Sequence, residues 1–314
     1  GGYTTSGDHT PADGTVGVFV QDRVVEVARE IQHASITSPT PSTYASSPPS
    51  PSLSHLLTPC YARLSEEERE RCETAKAENI KNGRKIEVEV IVEEEEAFDL
   101  DVMKRLSVSR DTLMQIAIQL AYNKCSNTIA AVYESAATRM FRFGRTETIH
   151  ACQPSVADFA RMCGQAVPSL VVAAEKLQRA LVDLRQHQKD CTIGKGFDRA
   201  LLWLRLEVGK ERGSDHPLFS LPAFVQATTY KVSTSQVQSR YIAGGGFTPT
   251  ESDGYGVCYS FKTGGRYVAN IVSGPLAPTS ALTFAAHLRS ALTALRYMLV
   301  FELERRHSTV RSKL

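Results

Sequence analysis

The sequence predicts an α/β fold built on a mixed sheet. Apolar residues recur at helical spacing in three long segments of the second two-thirds of the chain. Short β-rich runs separated by Gly-rich turns lie between the last two of these segments. The order, helices and then strands and then a closing helix, is that of a mixed-sheet α/β domain. Composition allows it: 314 residues, 42% hydrophobic and 22% charged, can bury the core of one large domain or two ordinary ones. Thirty-six Lys and Arg against 34 Asp and Glu leave a formal charge of +2. That balance argues against a dedicated nucleic-acid or membrane-surface protein. No apolar run of about 18 residues is present, which excludes a transmembrane helix. The chain opens Gly1-Gly2-Tyr3 without a methionine, which suggests a fragment.

Element by element, Val18, Val25, Ala28 and Ile31 predict a helix in the second half of 14–33. Residues 34–64 read as a disordered insertion, because six of the chain's 14 prolines lie there among Ser and Thr. Ser65 is a candidate N-cap for a charged helix beginning at Glu66. Residues 85–92 alternate Ile86, Val88 and Val90 against Lys85, Glu87 and Glu89, the pattern of a half-buried strand, and the acidic run 93–96 reads as a solvated loop. Helices follow at 109–122, with Leu113, Ile116, Ala117 and Leu120 on one face, and at 168–187 and 280–306. Strands are expected at 229–232, 256–261 and 266–272. Five segments result: 1–33, the end of a preceding domain; 34–64, the insertion; 65–100, a helix-and-strand connection; 101–308, the main domain; and 309–314, a tail.

Seven scattered cysteines without a Cys-x-x-Cys pair, and no His pair at zinc spacing, point to free thiols and to no metal site. Ser312-Lys313-Leu314 is the terminal tripeptide that the peroxisomal import receptor reads, so that receptor is an expected partner and the peroxisome the expected compartment, with the mitochondrion as a second location.

Several constellations could carry chemistry. His9 and Asp13 are spaced so that a carboxylate can fix an imidazole tautomer, as a general base requires; a turn with a surface histidine fits as well. Tyr133-Glu134-Ser135, Arg139 and Gly144-Arg145-Thr146-Glu147-Thr148 suggest a buried ion-pair network or an anion pocket. Gly194-Lys195-Gly196 suits either a phosphate contact or a plain turn, and Phe197-Asp198-Arg199 follows it. Ser233 and Ser235, two apart on a strand, share a face and can donate to an oxyanion or a carboxylate. Gly244-Gly245-Gly246-Phe247 and Asp253-Gly254-Tyr255-Gly256 complete the series.

Taken in order, these segments resemble the carnitine/choline acyltransferase family, densely from Leu106 to Tyr259 and separately at His9. The resemblance implies two similar chloramphenicol-acetyltransferase-like α/β domains with the site between them, of which this chain would hold the C-terminal domain complete and the end of the preceding one. It implies His9 as general base with Asp13, and Ser235 as oxyanion donor. It implies Tyr133, Thr146, Arg199, Ser233 and Phe247 as carnitine-binding residues, with carnitine preferred over choline because choline enzymes carry Asn and Val at the positions of Arg199 and Thr146. Gly245 implies an unplugged acyl tunnel and a medium- or long-chain substrate; the acetyl type and a non-catalytic remnant acting as a binding protein are the alternatives. Acyl-CoA is the implied co-substrate, met by Lys104 and Arg105, with no permanently bound cofactor. Against the family pattern, His150 stands where relatives have arginine and Ala200 where they have histidine, and the CoA lysines are reduced to Lys104 and Arg105 at shifted spacing. With most of the first domain missing, the isolated chain is expected to be poorly stable and inactive.

Overall fold

Twelve consecutive residues of helix α4 (Arg110–Ser126), from Thr112 to Asn123, are buried, and the sheet and the other long helices are arranged around them. A helix buried on every side shows no polar face, although its polar residues suggested one in the sequence. The chain is described here by a computed structural model covering residues 14–37, 65–83, 86–93, 96–165, 169–241 and 244–311. His9, Asp13 and Ser312-Lys313-Leu314 lie outside these residues.

Contacts divide the chain into two units, one of Gly1–Val18 and Ile86–Leu314, the other of Phe19–Lys85. Helix α1 (Gly14–Thr37) falls mostly in the smaller unit. Residues 34–37, assigned from composition to the Pro/Ser insertion, are therefore helical. Helix α2 (Glu66–Gly83) starts with a reciprocal cap. The Glu68 amide donates to Ser65 Oγ (3.3 Å), and the Ser65 amide donates to the Glu68 carboxylate (2.7 Å). Among the described residues no helix is long and apolar enough to cross a membrane.

The larger unit holds a six-stranded mixed sheet in the order β1-β6-β5-β4-β2-β3. Its strands are β1 (Glu87–Glu93), β2 (Ala131–Ala137), β3 (Thr146–His150), β4 (Tyr230–Gln236), β5 (Tyr255–Phe261) and β6 (Tyr267–Ser273). The central pairs β2–β4 and β4–β5 are parallel and the others antiparallel. Helices α3 (Leu100–Leu106), α4, α5 (Pro154–Gly164), α6 (Leu170–Thr192) and α9 (Ala281–Arg311) pack together against one face of the sheet, and α7 (Asp198–Arg212) and the short α8 (Pro222–Thr228) connect α6 to β4. Strand periodicity decides which residues face them. Tyr255, Val257 and Tyr259 of β5 and Val132 and Glu134 of β2 point to the helices, and the Tyr255 ring lies 4.5 Å from that of Phe284 on α9. The alternate residues form the opposite, open face.

The edge strand corrects one expectation. Residues 85–92 do make a strand, but Val88 and Val90, expected to be its buried side, are 61% and 51% exposed on the open face, and Ile91 carries the burial. Register explains this: Ile91 pairs with Ala269 on the helix side, whereas Val90 pairs with Asn270 on the other.

Polar groups on the helix face bond among themselves. Gln115 Nε2 donates to Thr234 Oγ1 (2.9 Å) and to the Tyr259 hydroxyl (3.0 Å). Tyr259 in turn donates to Asp111 Oδ1 (2.7 Å). Gln188 Nε2 donates to Asp111 Oδ2 (2.7 Å) and to Glu134 Oε2 (3.1 Å), and Thr112 donates to Gln188 Oε1 (2.7 Å). Burial, and next the neighbouring Asp111 charge, hold the Glu134 carboxyl well above the usual carboxylate range, so that it keeps its proton. The folded state therefore binds a proton that the unfolded chain releases, and stability falls as pH rises above the ordinary carboxylate range toward the raised value. We expect Glu134→Gln, which keeps a neutral hydrogen-bonding group, to flatten this decline in melting temperature between pH 5 and 8. Glu134→Ala should cost about 1–3 kcal/mol at pH 5 by leaving Gln188 short of a partner. Parallel melting curves for the wild type and Glu134→Gln at both pH values would refute the assignment.

Candidate active site

The open face of the central strands gathers the hydroxyls. Thr234 turns its Oγ1 inward, donating to the Tyr133 carbonyl (2.7 Å), so Ser233 and Ser235 must point the other way. In the parallel β2–β4 pair Tyr133 is level with Ser233, and across β4–β5 Ser235 is level with Cys258. In the antiparallel β2–β3 pair Tyr133 faces His150, Ser135 faces Thr148 and Ala137 faces Thr146. Tyr133, Thr146, His150, Ser233 and Ser235 therefore lie on one face. No hydrogen-bond partner for the hydroxyls of Ser233 and Ser235 is found among the described residues.

Residues 244–247 cross this face over β5 and β6. Asn270 Nδ2 donates to the Gly245 carbonyl (2.6 Å), and a Cβ on Gly256 would stand 2.5 Å from the Phe247 carbonyl, so the crossing requires glycine at 256. Gly245 differs. Among the described residues a Cβ there would meet only Cys258 Sγ, at an ordinary 3.8 Å, and the backbone does not demand glycine. The space beside Gly245 is open.

Helix α7 (Asp198–Arg212) brings a guanidinium to the β3 edge. Its N-cap residue, Phe197, has no side-chain cap. The buried Glu147 substitutes: its Oε1 accepts from the Arg199 amide (3.2 Å), placing a carboxylate at the positive end of the helix. Gly196 permits this, because any Cβ there would run into the Glu147 side chain. Gly194 has φ +77°, the left-handed region. Both glycines thus answer to backbone and packing demands, and they account for the Gly-Lys-Gly pattern without a phosphate. Arg199 Nε donates to the Thr146 carbonyl (3.4 Å), and its side chain remains 42% exposed. Asp198 accepts from His150 (3.1 Å) and Tyr230 (3.4 Å). The His150 bond is the chief cause that keeps the Asp198 carboxyl below its ordinary range.

Other candidates fall elsewhere. Arg139, Arg142 and Arg145 are exposed, so the buried arginine expected in that segment is not found; its buried ionisable side chains are Glu134 and Glu147. Lys104 and Arg105 occupy the last turn of α3, which packs on α9; Arg105 meets His307 Nε2 (2.7 Å) and Asp101 (3.7 Å). A cavity of about 430 Å³ between α6 and α9 shares no residue with the open face, and Glu302 within it already pairs with Arg305 and Arg306. The His150–Asp198 pair was not singled out from the sequence, because 48 residues separate its members.

Comparison with known proteins agrees with the motif order. The family model described as choline/carnitine O-acyltransferase matches residues 1–290. Carnitine O-acetyltransferase of Columba livia is 29% identical over 297 residues, covering 93% of this chain and 44% of the relative. The peroxisomal carnitine O-octanoyltransferase of Bos taurus is 33% identical over 53% of this chain and 28% of the relative. The muscle isoform of carnitine O-palmitoyltransferase 1 of Homo sapiens is 31% identical over 62% of this chain and 27% of the relative. The chain thus spans less than half the length of these relatives. A solved chloramphenicol acetyltransferase aligns with 66% of this chain and 87% of its own at a TM-score of 0.33 and 10% identity, too distant to add to the assignment.

The α7 cap gives a direct test. Glu147→Ala should destabilise the chain by about 1–2 kcal/mol, the usual range for losing a helix cap. Gly196→Ala, which displaces the same carboxylate, should have a similar effect in chemical denaturation. An unchanged midpoint for both variants would show that α7 starts without Glu147.

Proposed function

The chain belongs to the choline/carnitine O-acyltransferase family, and from this premise we propose that it is part of a carnitine O-acyltransferase that exchanges acyl groups between CoA and the carnitine hydroxyl. The observation that carries the reading is the open sheet face, where Tyr133, Ser233 and Ser235 lie together and Arg199 reaches the Thr146 edge. In this scheme His9, oriented by Asp13, removes the carnitine hydroxyl proton, and the oxygen attacks the thioester carbonyl of acyl-CoA. The carbonyl oxygen gains negative charge, met by the Ser235 hydroxyl and by the substrate's own trimethylammonium group. The tetrahedral centre then collapses, expelling the CoA sulfur, which takes the proton back from His9.

Direct transfer suits the chemistry of the thiols. Burial pushes Cys152, Cys163 and Cys258 up to about 11 and Cys191 up to about 12, so none of these four is a ready thiolate for an acyl-enzyme. Carnitine over choline follows from charge: a carboxylate leaving water needs a cationic partner, and Arg199 is available beside Thr146, with Tyr133, Ser233 and Phe247 lining the same face. The open space beside Gly245 favours a medium or long acyl chain over acetyl. Lys104 and Arg105 are proposed for CoA, and Ser312-Lys313-Leu314 for delivery to the peroxisome. Leu202, Trp203 and Leu206 on α7 are exposed apolar side chains of the kind that the remaining length of a full family member would cover.

Calorimetry and thiol-release assays test the scheme. Arg199→Asn should weaken carnitine binding by roughly 10- to 100-fold, the loss expected for a charge-assisted contact, with little change for choline. Equal loss for both ligands would remove Arg199 from carboxylate recognition. In a full-length form of the enzyme, Gly245→Met should suppress turnover of octanoyl- and palmitoyl-CoA more than of acetyl-CoA. A wild-type preference for acetyl-CoA would decide for the short-chain alternative.

A further inference from the structure

Asp198 stands between an imidazole and a guanidinium. Its Oδ1 is 3.1 Å from His150 Nε2 and its Oδ2 is 3.6 Å from Nη1 of Arg199. The Asp198 and His150 side chains are each 17% exposed, so this pairing is made largely out of water, while Arg199 keeps a solvent-facing side. The imidazole is held in place: the Phe197 ring stacks on it at 5.2 Å with 14° between the planes, and the Tyr230 hydroxyl lies 3.5 Å from Nε2. Tyr230 also packs edge-on against Tyr133, 5.4 Å between centroids, and Tyr133 pairs with His150 across β2–β3.

We propose that His150 is a positioning residue whose protonation sets how much of the Arg199 charge is available to a substrate carboxylate. This rests on the carnitine reading above. A protonated imidazole neutralises Asp198 and leaves Arg199 to the substrate. A neutral imidazole leaves Arg199 as the nearest cation to Asp198, and the aspartate then competes with the substrate carboxylate for it. The groups that face His150 are Asp198 and Arg199 from α7, Tyr230 from β4, Tyr133 from β2, and His187 from α6, with Glu147, three residues earlier on β3, holding the Arg199 amide. Asp, Glu, Arg and Tyr do not ordinarily change charge between pH 5 and 8, whereas histidine does. His187 is the second imidazole, and burial, followed by the charge of His150, disfavours its protonation. Linkage makes the coupling reciprocal: a carboxylate bound at Arg199 must raise the proton affinity of His150.

The experiment is calorimetric titration of the full chain with carnitine, and with choline as the ligand lacking a carboxylate, from pH 5.5 to 8.5. The carnitine Kd should weaken roughly five- to tenfold over this range, the size of one charge-assisted contact partly lost, while choline binding stays flat. His150→Arg should bind carnitine tightly at both ends of the range and His150→Gln weakly at both. In the wild-type protein, which needs no substitution, the NMR titration of the His150 ring should move to higher pH when carnitine is added. Carnitine binding that does not vary with pH, or an unmoved His150 titration with carnitine bound, overturns the role of His150 and leaves the carnitine reading intact. No carnitine binding at any pH, with His150 still titrating, overturns the carnitine reading and the proposal with it.

Discussion

The hydroxyl of Thr234 fixes the sense of the whole site. It donates to the Tyr133 carbonyl and accepts from Gln115 at the middle of α4, so it can only lie on the helix side of the sheet. On a strand that one orientation dictates its neighbours, and Ser233 and Ser235 are committed to the opposite face. Gln115 is buried to 1% exposure, and moving Thr234 away would leave its Nε2 with Tyr259 alone, a penalty comparable to a lost buried hydrogen bond. A slip of β4 by one residue would exchange the faces altogether. The buried bond protects the register that the open face needs.

The same logic reaches the β3 edge by a different route. Helix α7 has no buried residue, so packing does not hold it in place. Charge and hydrogen bonding do: Glu147 binds the Arg199 amide from below, and His150 and Tyr230 bind Asp198 from the side. Exposed ion pairs contribute little, but these carboxylates are sheltered, Glu147 at 7% exposure, and act on the first turn of a helix where the dipole adds to them. Arg199 is thereby presented to solvent from a turn whose backbone is anchored. The fold places the Arg199 cation at this edge through polar contacts.

Much of the frame was legible from residue pattern. The capping pair Ser65 and Glu68, the alternation of Ser233, Thr234 and Ser235, and the period of α6 and α9 are local signals with local causes. The remainder depended on three-dimensional neighbours. Thr112, Gln115, Gln119 and Asn123 look like the solvated side of α4, yet all are buried, because β4 and β5 present Thr234 and Tyr259 to that helix. Val88 and Val90 look like a core row, but the partner strand puts Ile91 there instead. Residues 131–137 and 146–150 carry too many polar residues to announce themselves as strands, since one of their faces is not packed on the helices. His150 and Asp198 meet only once α7 has docked beside β3.

The two faces of the sheet use similar residue types for opposite ends. Toward the helices, Thr, Gln, Tyr, Asp and Glu are joined in one hydrogen-bonded chain from Thr112 through Gln188, Asp111 and Tyr259 to Gln115 and Thr234. These bonds lie between α4, α6 and the sheet, where the linked side chains are buried or half-buried. Toward the open side, the Ser233 and Ser235 hydroxyls have no such bonds among the described residues, and the thiol between them and Gly245, Cys258, is held neutral by burial. A sheet face that carries two hydroxyls without partners among the described residues, beside an anchored guanidinium, suits the direct transfer proposed above. The division follows from the pleat: with Thr234 turned to the helices, its neighbours Ser233 and Ser235 emerge on the other face.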